Sequence, residues 1–122
     1  MYLRSFTDLE VYKACRLLRI HISSLVKTYF PPDERFRLSD QILRSSRSIT
    51  ACIAEGFGRF SFKENIQFCR VSRGSLEETL EHLITAFDEG YIDAETLKSS
   101  KEQIDRCVQL LNGYIRSLQK LV

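Results

Sequence analysis

Between Gln41 and Ser75 two stripes run side by side at helical spacing, one of small or polar residues and one apolar, and both resume after a single glycine-bearing break. At about 100° per residue, Gln41, Ser48, Cys52 and Glu55 fall on one narrow stripe beside Ile42, Ser46, Ile49 and Ile53. Past Glu55-Gly56-Phe57-Gly58-Arg59, the residues Asn65, Ser72, Ser75 and Thr79 repeat the arrangement beside Phe62, Ile66, Cys69, Leu76, Leu80 and Phe87. Each segment is therefore a helix with two faces to bury. A four-helix monomer needs only one buried stripe per helix, so the second predicts association with another chain. Gln41, Ser48, Cys52, Asn65, Ser72 and Ser75 are the candidate helix-packing and oligomer-face residues.

The flanking segments carry the same period. Val11, Cys15, Leu18, Ile22, Leu25 and Tyr29 form a stripe that ends at Pro31-Pro32, with Leu9, Leu17 and Ile20 lying off it as a possible partner surface. Leu97, Ile104, Val108, Leu111, Ile115 and Leu118 form another, widened by Cys107, Leu110, Tyr114 and Leu121. Start signals precede each helix: a Thr7-Asp8-Leu9-Glu10 capping box, Ser39, a Ser61-Phe62-Lys63-Glu64 capping box, and Asp93. The Gly56 and Gly58 pair is expected to stop the second helix through left-handed backbone angles. The expected helices cover approximately 8–29, 39–57, 62–89 and 94–120 of a single domain, 1–122. Short links between long helices predict an all-α, antiparallel up-down-up-down four-helix bundle.

The 122 residues, 43% of them hydrophobic, suffice for one core without a metal or disulfide staple. The four cysteines, at 15, 52, 69 and 107, show no paired C-x-x-C spacing and read as buried free thiols. Charges at Arg4, Asp8, Glu10, Lys13, Arg16 and Arg19 rule out an apolar signal core, and no segment approaches the ~18 uninterrupted apolar residues of a membrane span. A cytoplasmic location is the expectation. Net charge is only +2, but its distribution is uneven. Residues 35 to 73 carry eight basic and three acidic side chains, whereas residues 74 to 99 carry one basic and seven acidic.

Several local patterns occur together: Leu38-x-x-Gln41-x-x-Arg44, Ser48-Ile49, Ile53-Ala54-Glu55-Gly56-x-Gly58-Arg59-x-Ser61, and Gly74-Ser75-Leu76-x-Glu78. With Phe6-x-x-Leu9-x-Val11-Tyr12, Phe30-Pro31 and Gly90-Tyr91-Ile92, they extend over nearly the whole chain. In this set the sequence resembles the bacterial four-helix bundle proteins encoded in intervening sequences of large-subunit ribosomal RNA genes. The resemblance implies a homopentameric ring of up-down bundles, related to the accessory protein of diversity-generating retroelements, which binds nucleic acid and a reverse transcriptase. The chain departs from that pattern at Cys52, where the family usually has Asn, and at Ser72, where it usually has Ala.

The candidate nucleic-acid contacts are Arg44, Arg47, Arg59, Lys63 and Arg70. Arg44 and Arg47 lie roughly opposite the apolar stripe of their helix. Arg59 and Lys63 bracket a helix start, where free N–H groups favour a phosphate. Copies arranged in a ring would add such contacts together. Phe57 and Phe60 flank Arg59 and could stack on bases. Arg73 interrupts an apolar stripe and must therefore snorkel or meet a carboxylate; Glu55 is the first candidate partner for a structural ion pair and Glu78 the second.

Enzyme chemistry finds little footing. Glu78 precedes His82 by four residues, once, with no matching half for a di-iron site, so neither a metal nor any other cofactor is expected. Arg16-x-x-x-x-His21 matches the loose spacing of HEPN ribonucleases, yet five residues rotate the two side chains ~140° apart on one helix. His21 then reads as a core-edge residue and His82 as a surface one. The expectation is a non-enzymatic homo-oligomer that binds RNA or single-stranded DNA, or serves in assembly. The alternatives are a structural hub for a protein partner and, third, a small ribonuclease.

Overall fold

Four runs of helical periodicity become four helices. The computed structural model describes residues 4–122. Among them lie α1 (Glu10–Tyr29), α2 (Leu38–Phe57), α3 (Phe62–Asp88) and α4 (Ala94–Gln119), two 3-10 turns at Phe6–Asp8 and Pro32–Glu34, and no strand. No helix among the described residues is long and apolar enough to cross a membrane.

The helix starts differ in who caps them. Ser61 Oγ accepts from the Glu64 N–H at 3.3 Å, and Asp93 Oδ1 accepts from the Thr96 N–H at 2.7 Å, as their positions predict. At the amino-terminal end, Ser5 replaces Thr7 as the cap. Its Oγ accepts from the Thr7 N–H at 3.1 Å while Asp8 Oδ2 accepts from the Ser5 N–H at 3.2 Å, so the box closes the 3-10 turn ahead of α1. Ser39 does not cap α2 either; it is buried inside the first turn. Glu34 takes the role from outside the helix, accepting from the Leu38 N–H at 3.3 Å and from Tyr91 Oη at 2.6 Å. The Tyr91 hydroxyl and the Leu38 N–H hold Glu34 below the usual carboxylate range, while the same bond raises Tyr91 to about 12.

Leu18 and Ile22 of α1, Ile42, Ile49 and Ile53 of α2, Leu76 and Leu83 of α3, and Ile104 and Leu111 of α4 are fully buried. α1 packs against α2 and α4, and α3 against α2 and α4. Leu9, expected off the core stripe, is buried with it, whereas Tyr29, Phe62 and Phe87 stand half-exposed at or near helix ends.

The small-residue stripes meet each other inside the chain. Ser45 Oγ lies 2.8 Å from Thr79 Oγ1, Ser75 Oγ donates to Ser48 Oγ at 3.0 Å, and Ser72 Oγ donates to the Ile49 carbonyl at 2.7 Å. Partners on α3 fall in number as those on α2 rise. At Gly56 the two helices come close, since a Cβ there would sit 2.7 Å from Asn65 Oδ1 and 2.9 Å from Phe68 Cβ. Its role is therefore space, not a left-handed turn: Gly58 has φ −77°, and the positive φ among the described glycines belongs to Gly90, at 81°.

This corrects the expected oligomer face. Asn65, Ser72 and Ser75 are buried between α2 and α3 of one chain, and Ser48 and Cys52 are half-buried beside them. Only Gln41 of the six is exposed. Small side chains let two backbones approach, so Asn65, Ser72 and Ser75 satisfy an intramolecular neighbour and are not available as a face for another copy.

Candidate functional site

The basic side chains sort by whether a carboxylate reaches them. Arg44 pairs with Asp40 at 3.4 Å along its own helix. Arg59 lies between Glu55 Oε1 at 3.6 Å and Glu64 Oε1 at 4.0 Å, with its guanidinium 4.9 Å from the centroid of the Phe68 ring. Both are exposed or half-exposed pairs of small energetic weight, but their charge is locally compensated. Arg47, Lys63 and Arg70 have no carboxylate within 4.0 Å among the described residues.

These uncompensated cations occupy two separate places. Lys63 and Arg70 flank an open depression of about 380 Å³ between the start of α3 and the end of α4, with Ile66 and Val122 on its floor and rim. Gln67 Oε1 accepts from Arg70 at 3.0 Å and steers its guanidinium. Arg47 lies on the other side of α2, where it meets α1 in a depression of about 190 Å³. The candidate basic residues of α2 and α3 thus fall at two places, α3 presenting Lys63 and Arg70 toward α4 and α2 presenting Arg47 toward α1.

Arg19 joins Arg47 there, a residue to which sequence reasoning gave no role. Its Nη1 donates to Thr50 Oγ1 at 2.9 Å, leaving the other guanidinium donors free of any carboxylate. Tyr12 and Phe6 form the adjoining wall, their rings edge to face at 4.9 Å. A signal existed: Tyr12, Arg16 and Arg19 fall at i, i+4 and i+7, one face of α1. Phe60 and Phe62 remain exposed near the start of α3, whereas Phe57 is half-buried against the core.

Of the two courses open to Arg73, it snorkels and does not form the ion pair with Glu55 or Glu78. It is half-buried and donates to Asn112 Oδ1 of α4 at 2.8 Å, while Glu55 turns to Arg59. The long arginine stem carries the charge off the apolar stripe to a neutral amide at the edge of the bundle. His21 Nε2 lies 2.9 Å from the buried Ser100 Oγ, and burial lowers its pKa below the usual imidazole value. Arg16 is exposed one and a half turns away, so the two do not converge. His82 is more covered than expected, its side chain 15% exposed and 3.1 Å from Glu78 Oε2.

Cys15, Cys69 and Cys107 are buried and Cys52 half-buried, all as free thiols. A hydrogen bond with Cys107, reinforced by burial, pushes the Cys15 thiol up, and burial pushes Cys69 up to about 11. Such thiols pack as small hydrophobes. Among the described residues no group of three or more His, Cys, Asp or Glu is placed to hold a metal ion.

Similarity to known proteins covers most of this architecture. The family model described as 23S rRNA-intervening sequence protein matches residues 7–113. A solved structure of a protein of unknown function from the S23 ribosomal protein family of Bacteroides thetaiotaomicron superposes with a TM-score of 0.78 at 27% identity, covering 86% of this chain and 97% of that one. No curated protein matches the chain.

Proposed function

The chain belongs to the 23S rRNA-intervening sequence protein family, and from that premise we propose that it is a non-enzymatic, cytoplasmic nucleic-acid-binding protein, with RNA as the favoured ligand. One observation carries the reading: Arg47, Lys63 and Arg70 face open depressions with no carboxylate within 4.0 Å among the described residues, whereas Arg44 and Arg59 are paired. Cations left uncompensated at a surface attract phosphates, and the affinity comes from counterion release. The up-down-up-down bundle assembles into a homopentameric ring in this reading, as the family resemblance implies. Each copy would repeat the two cationic depressions, and modest contacts would sum.

Fluorescence anisotropy with a labelled mixed-sequence single-stranded RNA tests the proposal. Affinity is expected to fall steeply with added salt, and to drop at least tenfold when Arg47, Lys63 and Arg70 are all changed to Glu. Absence of binding at low salt ends it. A second reading, a hub for a protein partner, draws on Leu17 and Ile20, which are 59% and 46% exposed on α1. In that case captured partners survive the three charge reversals.

A further inference from the structure

The junction of α1 and α2 brings two arginines and an aromatic wall to one small depression. Arg19 and Arg47 reach one small depression from two helices, and neither meets a carboxylate among the described residues. Arg19 is half-buried and oriented by Thr50 Oγ1 at 2.9 Å, so its guanidinium is held in place before any ligand arrives. The space, about 190 Å³, is smaller than the ~300 Å³ at which pockets begin to enclose a whole small molecule. It admits a phosphoryl group and leaves what is attached to it outside. Tyr12 forms one wall, half-buried against the core and in edge-to-face contact with Phe6, and still reaches the depression. Tyr12 also lines a second depression of about 370 Å³, with Thr7, Lys13, Arg16 and Leu17.

We infer that this junction is a binding site for single-stranded nucleic acid, in which one phosphodiester sits between Arg19 and Arg47 while the adjacent base stacks on Tyr12. The inference rests on the nucleic-acid reading above and specifies where the strand lies. A guanidinium pair supplies planar donors to the phosphate oxygens, and a ring flanked by cations supplies the stacking platform. Arg16, exposed beside Tyr12, meets the next phosphate; Lys13 is partly compensated by Glu10 at 3.4 Å. A duplex keeps its bases stacked on each other and cannot offer one to Tyr12, so the site discriminates strand state.

Anisotropy titrations of the full chain with a labelled single-stranded RNA and with the corresponding duplex provide the test. Tyr12→Leu is expected to weaken single-strand binding about tenfold and to leave duplex binding unchanged, whereas Tyr12→Phe, which keeps the ring, binds like the wild type. Arg47→Gln, on an exposed side chain, lowers the log–log salt slope by about 0.7 and carries the test should Tyr12→Leu not fold. The site is overturned if Tyr12→Phe loses as much as Tyr12→Leu, or if the duplex binds as tightly as the single strand. It is also overturned if Tyr12→Leu and Arg47→Gln bind normally while a Lys63→Gln/Arg70→Gln variant does not; the broader function then stands at the other depression. No binding of either probe at low salt removes both.

Discussion

A methyl group at position 56 would lie 2.7 Å from Asn65 Oδ1 and 2.9 Å from Phe68 Cβ, neither of which can step aside freely. Asn65 is buried and donates to Tyr114 Oη at 3.1 Å, so moving it breaks a bond between α3 and α4. Gly56→Ala is expected to cost about 1–2 kcal/mol, overpacking outweighing the gain in helix propensity. Gly74 gives the opposite sign. Beyond its own helix backbone and chain neighbours, no described atom lies within 4 Å of where a Cβ would stand, so Gly74→Ala should stabilise α3 by about 1 kcal/mol. Urea denaturation of both variants checks the pair. His21 adds a pH dependence, because burial lowers its pKa below 6.5 in the folded state. Between the folded value and 6.5 the unfolded chain binds more protons, so stability falls as pH drops through that window and is fully kept above it. Comparing denaturation midpoints at about pH 5.5 and pH 7.5 should show a loss at the lower value that is reduced in His21→Gln.

At the scale of elements, the seam between α2 and α3 is the most demanding part of the fold. Ser72 is fully buried and donates to the Ile49 carbonyl at 2.7 Å. Ser72→Ala removes that bond at a cost of about 1 kcal/mol, but Ser72→Val adds volume where two backbones are close and should cost about 1–3 kcal/mol more. Equal stability of the two variants, measured by urea denaturation, would mean that the seam has slack. The seam also explains what could be read from residues alone. Period fixed the four helices within a residue or two, and small residues at Ser48, Cys52, Asn65, Ser72 and Ser75 marked a close-packing face. Which surface that face meets was not legible, because a stripe gives direction around one helix and says nothing of its neighbour. The candidate partners of Arg73 failed for a related reason: its stem spans far enough to reach Asn112 on α4, and Cα geometry does not predict where a long side chain ends. Arg19 was overlooked because its partner Thr50 is 31 positions away and acts through a single hydroxyl. The caps at Ser5 and Glu34 were missed because nearer Thr7 and Ser39 satisfy the same sequence rule.

For the whole molecule, internal use of the small-residue faces moves the argument for assembly onto α1. Leu17 and Ile20 stand exposed there, three residues apart on one side of the helix, and among the described residues no other element buries them. If copies associate through this strip, Leu17→Gln/Ile20→Gln should convert an oligomer to a monomer in multi-angle light scattering without altering charge. Neutral replacements matter because the strip adjoins the Tyr12 and Arg16 depression, where an introduced carboxylate would repel RNA directly. The variant then separates two contributions to binding. Each bundle keeps its own Arg19, Arg47, Lys63 and Arg70, so single-site contacts persist, while the gain from repeating them around an assembly is lost. A monomeric variant should therefore bind a long single strand at least tenfold more weakly than the wild type, yet lose far less on a strand short enough for one bundle, where only the Leu17 lining of the Tyr12 and Arg16 depression has changed. Equal loss on short and long strands would place Leu17 and Ile20 in the RNA contact itself, and a wild-type chain that scatters as a monomer would assign all the affinity to one bundle.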